Sequence, residues 1–179
     1  MRTTRLINRF NWYYPTERFF AFLCTGLIGY VVAAFDSRNT VFLVYGLVLT
    51  NSILYQGQHY WRLKLDRVAN KTGGQPEKLR LFRKAEVLNR AMIGLIPAAL
   101  LTQLRLSGGQ FKMEGVFFWA VVANTFAVLE YINYYHLQLT IDNLSDLKYL
   151  LKYKKLKQAS LKKDLFRREI VTSRSLIQL

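Results

Sequence analysis

Four apolar runs, each set off by lysine or arginine, constrain this chain more than any other feature. FFAFLCTGLIGYVVAAF fills 19–35, TVFLVYGLVLTNSILYQG 40–57, AMIGLIPAALLTQL 91–104 and GVFFWAVVANTFAVLEYI 115–132. A helix crosses the hydrocarbon core of a bilayer in roughly 17–25 residues. Three of the runs have about that length, and the third reaches it with its flanks. Lipid offers no partner to a backbone N–H or C=O, so a spanning segment of this kind is expected to be helical. The expected spans are 18–36, 40–60, 89–106 and 115–137, with Pro97 kinking the third.

Basic residues orient the spans. Four precede the first run, nine lie between the second and third, and ten follow the fourth. One separates the first and second runs and two the third and fourth, so 23 of the 26 fall on one side if both termini share it. The positive-inside rule makes that side cytoplasmic. VAA before Phe35 could pass as a signal-peptide cleavage site, but the apolar run is longer than a usual signal core. The expected fold is therefore all-α: a polytopic membrane bundle of four transmembrane helices in two N-in hairpins. Its expected place is an integral, multi-pass one in a bacterial inner membrane or an organellar or thylakoid membrane.

Half of the 179 residues (51%) are hydrophobic and the net charge is +15, a combination ill suited to a soluble domain and natural for a membrane protein beside an anionic leaflet. Cys24 is the single cysteine, which excludes a disulfide framework and a cysteine metal cluster.

Outside the spans, residues 1–141 are expected to carry one cytoplasmic helical hairpin at 61–88. There the second helix runs on through HYWRLKLDRVAN, breaks at KTGGQP and restarts with Pro76 in a first helical turn. Residues 142–179 are expected to form a basic cytoplasmic helix and tail, capped by Asp142 or Ser145. Its apolar stripe is Leu144, Leu147, Leu150, Leu151, Leu161 and Leu165, interrupted near Lys154 to Lys157. SGGQFKME is short and glycine-punctuated, leaving no room for an extracellular domain. Sliding the chain by 74 residues sets SILYQGQHYWRLKL beside FAVLEYINYYHLQL, with Tyr60, Leu63 and Leu65 meeting Tyr134, Leu137 and Leu139. A tandem repeat of two hairpins is one explanation, and chance in biased sequences is the other.

Polar residues in the spans are few. Glu130 lies about eight residues from the inner end of the fourth span, roughly 12 Å deep at 1.5 Å per residue. A carboxylate at that depth must be protonated, paired or turned inward. Asn51, Gln56 and His59 on the second span are its candidate partners, and Asn133 and His136 follow it on the fourth. Such a cluster either fixes helix packing by hydrogen bonds or forms a polar path for an ion or substrate. Gln56 and His59, like Asn133 and His136, have i, i+3 spacing, but two histidines and no cysteine partner are too few for a metal. Tyr55, Tyr60, Trp61, Tyr131, Tyr134 and Tyr135 fit an interfacial aromatic belt, and NWYYP at 11–15 fits another.

No nucleophile elbow, phosphate loop or zinc motif occurs, so no enzymatic activity and no cofactor are expected. Lys148, Lys152, Lys154, Lys155, Lys157, Lys162, Lys163, Arg167 and Arg168 form the candidate surface for anionic lipid headgroups or an acidic protein partner. Nucleic acid would need a recognition motif, and none is present. The expected function is that of an accessory, assembly or scaffold subunit, partnered or self-associated in the membrane. The alternative is a small oligomeric channel or ion-coupled transporter built around Glu130, with a membrane enzyme acting on a lipid a distant third.

Overall fold

A computed structural model describes residues 2–69, 75–109, 114–141 and 144–167. Among the described residues the chain forms seven helices and no strand: α1 (Arg2–Ala34), α2 (Ser37–Val68), α3 (Gln75–Gly94), α4 (Ile96–Leu106), α5 (Glu114–Tyr135), α6 (Leu144–Tyr153) and α7 (Ser160–Arg167). Four segments are long and apolar enough to cross a membrane: Trp12–Ala34, Ser37–Val68, Pro76–Leu106 and Gly115–Tyr135. They correspond to the four apolar runs.

Several details differ from the sequence-based expectation. The third span is two helices meeting at Leu95, with Pro97 in the first turn of the second. Proline has no N–H to donate and crowds the preceding turn, so the ladder breaks there. Leu95 N–H is shared between the carbonyls of Ala91 and Met92, and the Tyr45 hydroxyl donates to Met92 O at 2.6 Å. A neighbouring helix thus supplies a hydrogen bond at the break, the usual condition for proline in a membrane helix. The C-terminal segment is two helices rather than one, α6 and α7. Ser145 lies inside α6 and is not its cap. Asp142, the hairpin tip at 71–74, Arg168 and everything after it lie outside the described residues.

The described residues form two compact units. The first holds 16–55 and 87–130. Its core is Cys24, Val31, Phe42, Leu43, Leu47, Ala99 and Ala120. Cross-helix hydrogen bonds reinforce that core. The Asn124 amide donates to Phe42 O at 2.9 Å, Gln103 Oε1 accepts from Phe42 N–H at 2.8 Å, and Thr50 Oγ1 donates to Ala123 O at 3.3 Å. Polar side chains of this kind hold helices together where hydrophobicity cannot, because lipid is as apolar as leucine. α2 also comes so near α5 that a Cβ on Gly46 would stand 2.6–2.9 Å from Asn124 atoms. Glycine is what permits this approach.

The second unit holds residues up to 15, 56–86 and 131 onward. The chain leaves α5 and pairs with the segment before α7: Gln138 N–H donates to Lys157 O at 2.8 Å and Ala159 N–H to His136 O at 3.1 Å. Lys154 follows the last residue of α6; its φ of 50° is left-handed and its N–H reaches Leu150 O at 2.7 Å. Glycine normally takes this position, since a Cβ there costs about 1–2 kcal/mol. Lys154→Gly is therefore expected to raise stability by about 0.5–1 kcal/mol, allowing for the greater freedom of an unfolded glycine. An unchanged thermal midpoint in detergent would refute it.

Candidate functional site

The second unit contains a buried polar cluster that neither the charge pattern nor the belt pattern anticipated. Tyr60 and Lys64 are one turn apart on α2, and Ser160 and Asp164 one turn apart on α7, so each pair faces the same way on its helix. The Tyr60 hydroxyl donates to Asp164 Oδ2 at 2.5 Å and lies 2.9 Å from Ser160 Oγ, from which it accepts. Lys64 Nζ is 2.9 Å from the same Asp164 oxygen. The lysine is 4% exposed and the aspartate 1%. Phe82 of α3 closes the cluster edge-on to Tyr60, with ring centroids 6.0 Å apart. Charges so buried are tolerated only when paired and hydrogen-bonded. The arrangement pins α7 to the end of α2.

A second buried acid does the same for α6. Asp146 takes the Lys157 ammonium at 2.6 Å and a hydrogen bond from the Gln138 amide at 3.1 Å. The Lys157 ammonium also stands 5.0 Å from the centre of the Tyr149 ring. Between 144 and 167 the acids are Asp146 and Asp164, and both are turned inward. Lys148, Lys152, Lys154, Lys155, Lys163 and Arg167 are exposed, and Lys157 and Lys162 half-buried. The exposed charge of this segment is uniformly positive. Exposed apolar side chains lie among it: Leu147, Leu151, Tyr153 and Phe166.

The six polar residues singled out in the sequence are divided between the units. Glu130 and Asn51 belong to the first, and Gln56, His59, Asn133 and His136 to the second. The Asn51 amide donates to Thr25 Oγ1 at 3.0 Å, and Gln56 Oε1 accepts from the Tyr135 hydroxyl at 2.7 Å. Asn133 Oδ1 accepts from Leu139 N–H at 2.9 Å and so caps the chain as it leaves α5. His136 packs its ring on Tyr131, with centroids 5.1 Å apart. His59 is exposed and Glu130 half-buried. Among the described residues no three of His, Cys, Asp and Glu gather where they could hold a metal ion.

The aromatic residues at this level are largely inside the protein. Tyr55 is exposed, but Tyr60, Tyr131, Tyr134 and Tyr135 are buried. Trp61 stacks on Tyr13, with centroids 4.6 Å apart. These rings pack the second unit rather than face lipid. One signal could have found the polar cluster: Asp164 stands between Leu161 and Leu165 on the apolar stripe of its helix, where a solvated acid has no place. No protein-family model, curated protein or solved structure matches the chain.

Proposed function

We propose that this is a multi-pass membrane protein with both termini in the cytoplasm, its four spans arranged as two inside-to-inside hairpins. It works without catalysis, as an accessory or scaffold subunit whose C-terminal helices rest on an anionic lipid surface. The observation that carries this reading is the inward placement of Asp146 and Asp164, which leaves α6 and α7 with outward charge of one sign. Leu147 and Leu151 share a face of α6 with i, i+4 spacing and are exposed beside Lys148 and Lys152. Apolar residues mixed with lysine are the signature of a helix lying in the headgroup region. The count of basic residues on the proposed cytoplasmic side supports the same orientation.

The test uses the full chain in vesicles. Chymotrypsin cleavage at Tyr153 and Phe166, both exposed, is expected to slow when phosphatidylglycerol replaces part of the phosphatidylcholine. Each lysine near an anionic surface is worth about 1 kcal/mol. Lys152→Gln with Lys155→Gln should therefore weaken that protection by about 2 kcal/mol, roughly 30-fold. High salt should remove most of it. Cleavage indifferent to lipid charge would point to a protein partner instead and defeat the lipid reading.

A further inference from the structure

A cavity of about 320 Å³ opens in the second unit between α3 and α7, lined among the described residues by Pro76, Leu79, Arg80, Arg83 and Leu165. We propose that it is a binding site for a phosphate-bearing amphiphile, in which Arg80 and Arg83 clasp the phosphate while Leu79, Leu165 and Pro76 receive the first carbons of the stem.

The chemistry follows from the lining. Arg80 and Arg83 are three residues apart and so project from neighbouring turns of one helix face. Planar guanidinium groups match phosphate oxygens with paired N–H donors, which a lysine cannot do. Arg83 already donates one hydrogen bond, from Nη2 to Leu165 O at 2.9 Å. That contact fixes its guanidinium at the cavity wall and leaves further N–H groups unused. Arg80 makes no ion pair with any described residue. Two arginines over buried Leu79 and Leu165 form a site with a charged rim and an apolar floor. A bare inorganic anion would use the rim alone, whereas an amphiphile uses both. The volume lies at the lower end of the range for small-ligand sites, about 300–1,000 Å³. The assignment of lipid as the source of the phosphate rests on the membrane reading above; the phosphate chemistry does not.

The test is ligand binding to the detergent-purified full chain, read as a shift in thermal midpoint over a titration. Dioctanoyl phosphatidic acid, inorganic phosphate and dioctanoylglycerol are the probes. Dioctanoyl phosphatidic acid is expected to bind, and Arg80→Gln with Arg83→Gln to weaken it by about tenfold or more. Arg83→Gln also removes the contact to Leu165 and could disturb α7, so Arg80→Gln alone serves as the second variant, expected to weaken binding severalfold with an unchanged ligand-free midpoint. Inorganic phosphate binding as tightly, with the same arginine dependence, would show that the apolar floor contributes nothing and would overturn the amphiphile assignment in favour of a free phosphate. Equal binding of dioctanoylglycerol, or binding of the lipid phosphate untouched by either variant, would overturn the proposal. Lys152→Gln with Lys155→Gln, the surface variant, is expected to bind the short-chain probe normally. Loss of probe binding in that variant, with Arg80→Gln silent, would place the phosphate on the surface lysines and overturn the cavity while leaving the surface reading in place.

Discussion

Asp164→Ala is expected to release α7 from the second unit. The substitution leaves Lys64 buried at 4% exposure without the carboxylate 2.9 Å away. It also takes from the Tyr60 hydroxyl its acceptor at 2.5 Å. Breaking a buried pair by removing one partner costs about 3–5 kcal/mol, because the remaining charge loses its counter-ion while still out of water. α7 carries its own protease sites at Lys162, Lys163 and Arg167. Cleavage there requires local opening and tracks its population when reclosing is fast. Tryptic cleavage of α7 should therefore accelerate by two orders of magnitude or more. Replacing both partners by apolar side chains, Lys64→Met with Asp164→Leu, should recover most of the loss, since an apolar pair needs no desolvation. If the double variant opens as readily as Asp164→Ala, the ion pair is not what holds the helix.

The second large effect is expected at Gly46→Leu. A Cβ at this position would sit 2.6 Å from the Asn124 amide nitrogen and 2.8 Å from its backbone nitrogen. The amide could swing aside, but the backbone cannot without moving α5 as a whole. Swinging the amide away would also break its bond to Phe42 O at 2.9 Å. Overpacking a close contact costs about 1–3 kcal/mol, and a leucine here belongs at the upper end. The expected readout is a lower thermal midpoint of the detergent-purified chain, with Gly94→Leu as the comparison because its surroundings are open. Equal midpoints for the two leucine variants would show that the glycine contact contributes nothing.

The spans were legible in the sequence because each is a local property: a run of apolar residues needs no knowledge of its neighbours. Pro97 announced the break in the third span for the same reason. Four helices long and apolar enough to cross a membrane match the four runs. Lys154 to Lys157 announced the interruption between α6 and α7, since no apolar residue there continues the stripe until Leu156. What could not be read was pairing across sequence. Tyr60 resembles any interfacial tyrosine, and its burial depends on a helix that begins a hundred residues later. Asp146 and Asp164 are two acids in a basic segment, and apart from the place of Asp164 on the apolar stripe nothing in the composition hints that both turn inward. Glu130 stood out by depth along one helix alone. The partners found for Gln56 and Asn133, by contrast, are a tyrosine hydroxyl and the backbone of the next few residues.

Lys64 and Asp164 also impose an order of events on biosynthesis. A ribosome adds residues at about 5–20 per second, so Asp164 emerges roughly 5–20 s after Lys64. Throughout that interval the carboxylate that accompanies the lysine inward in the finished protein has not yet been made. The end of α2 is thus made early and finished late. The spans can be threaded while it waits, and the closure of the second unit becomes a record that synthesis has passed residue 164.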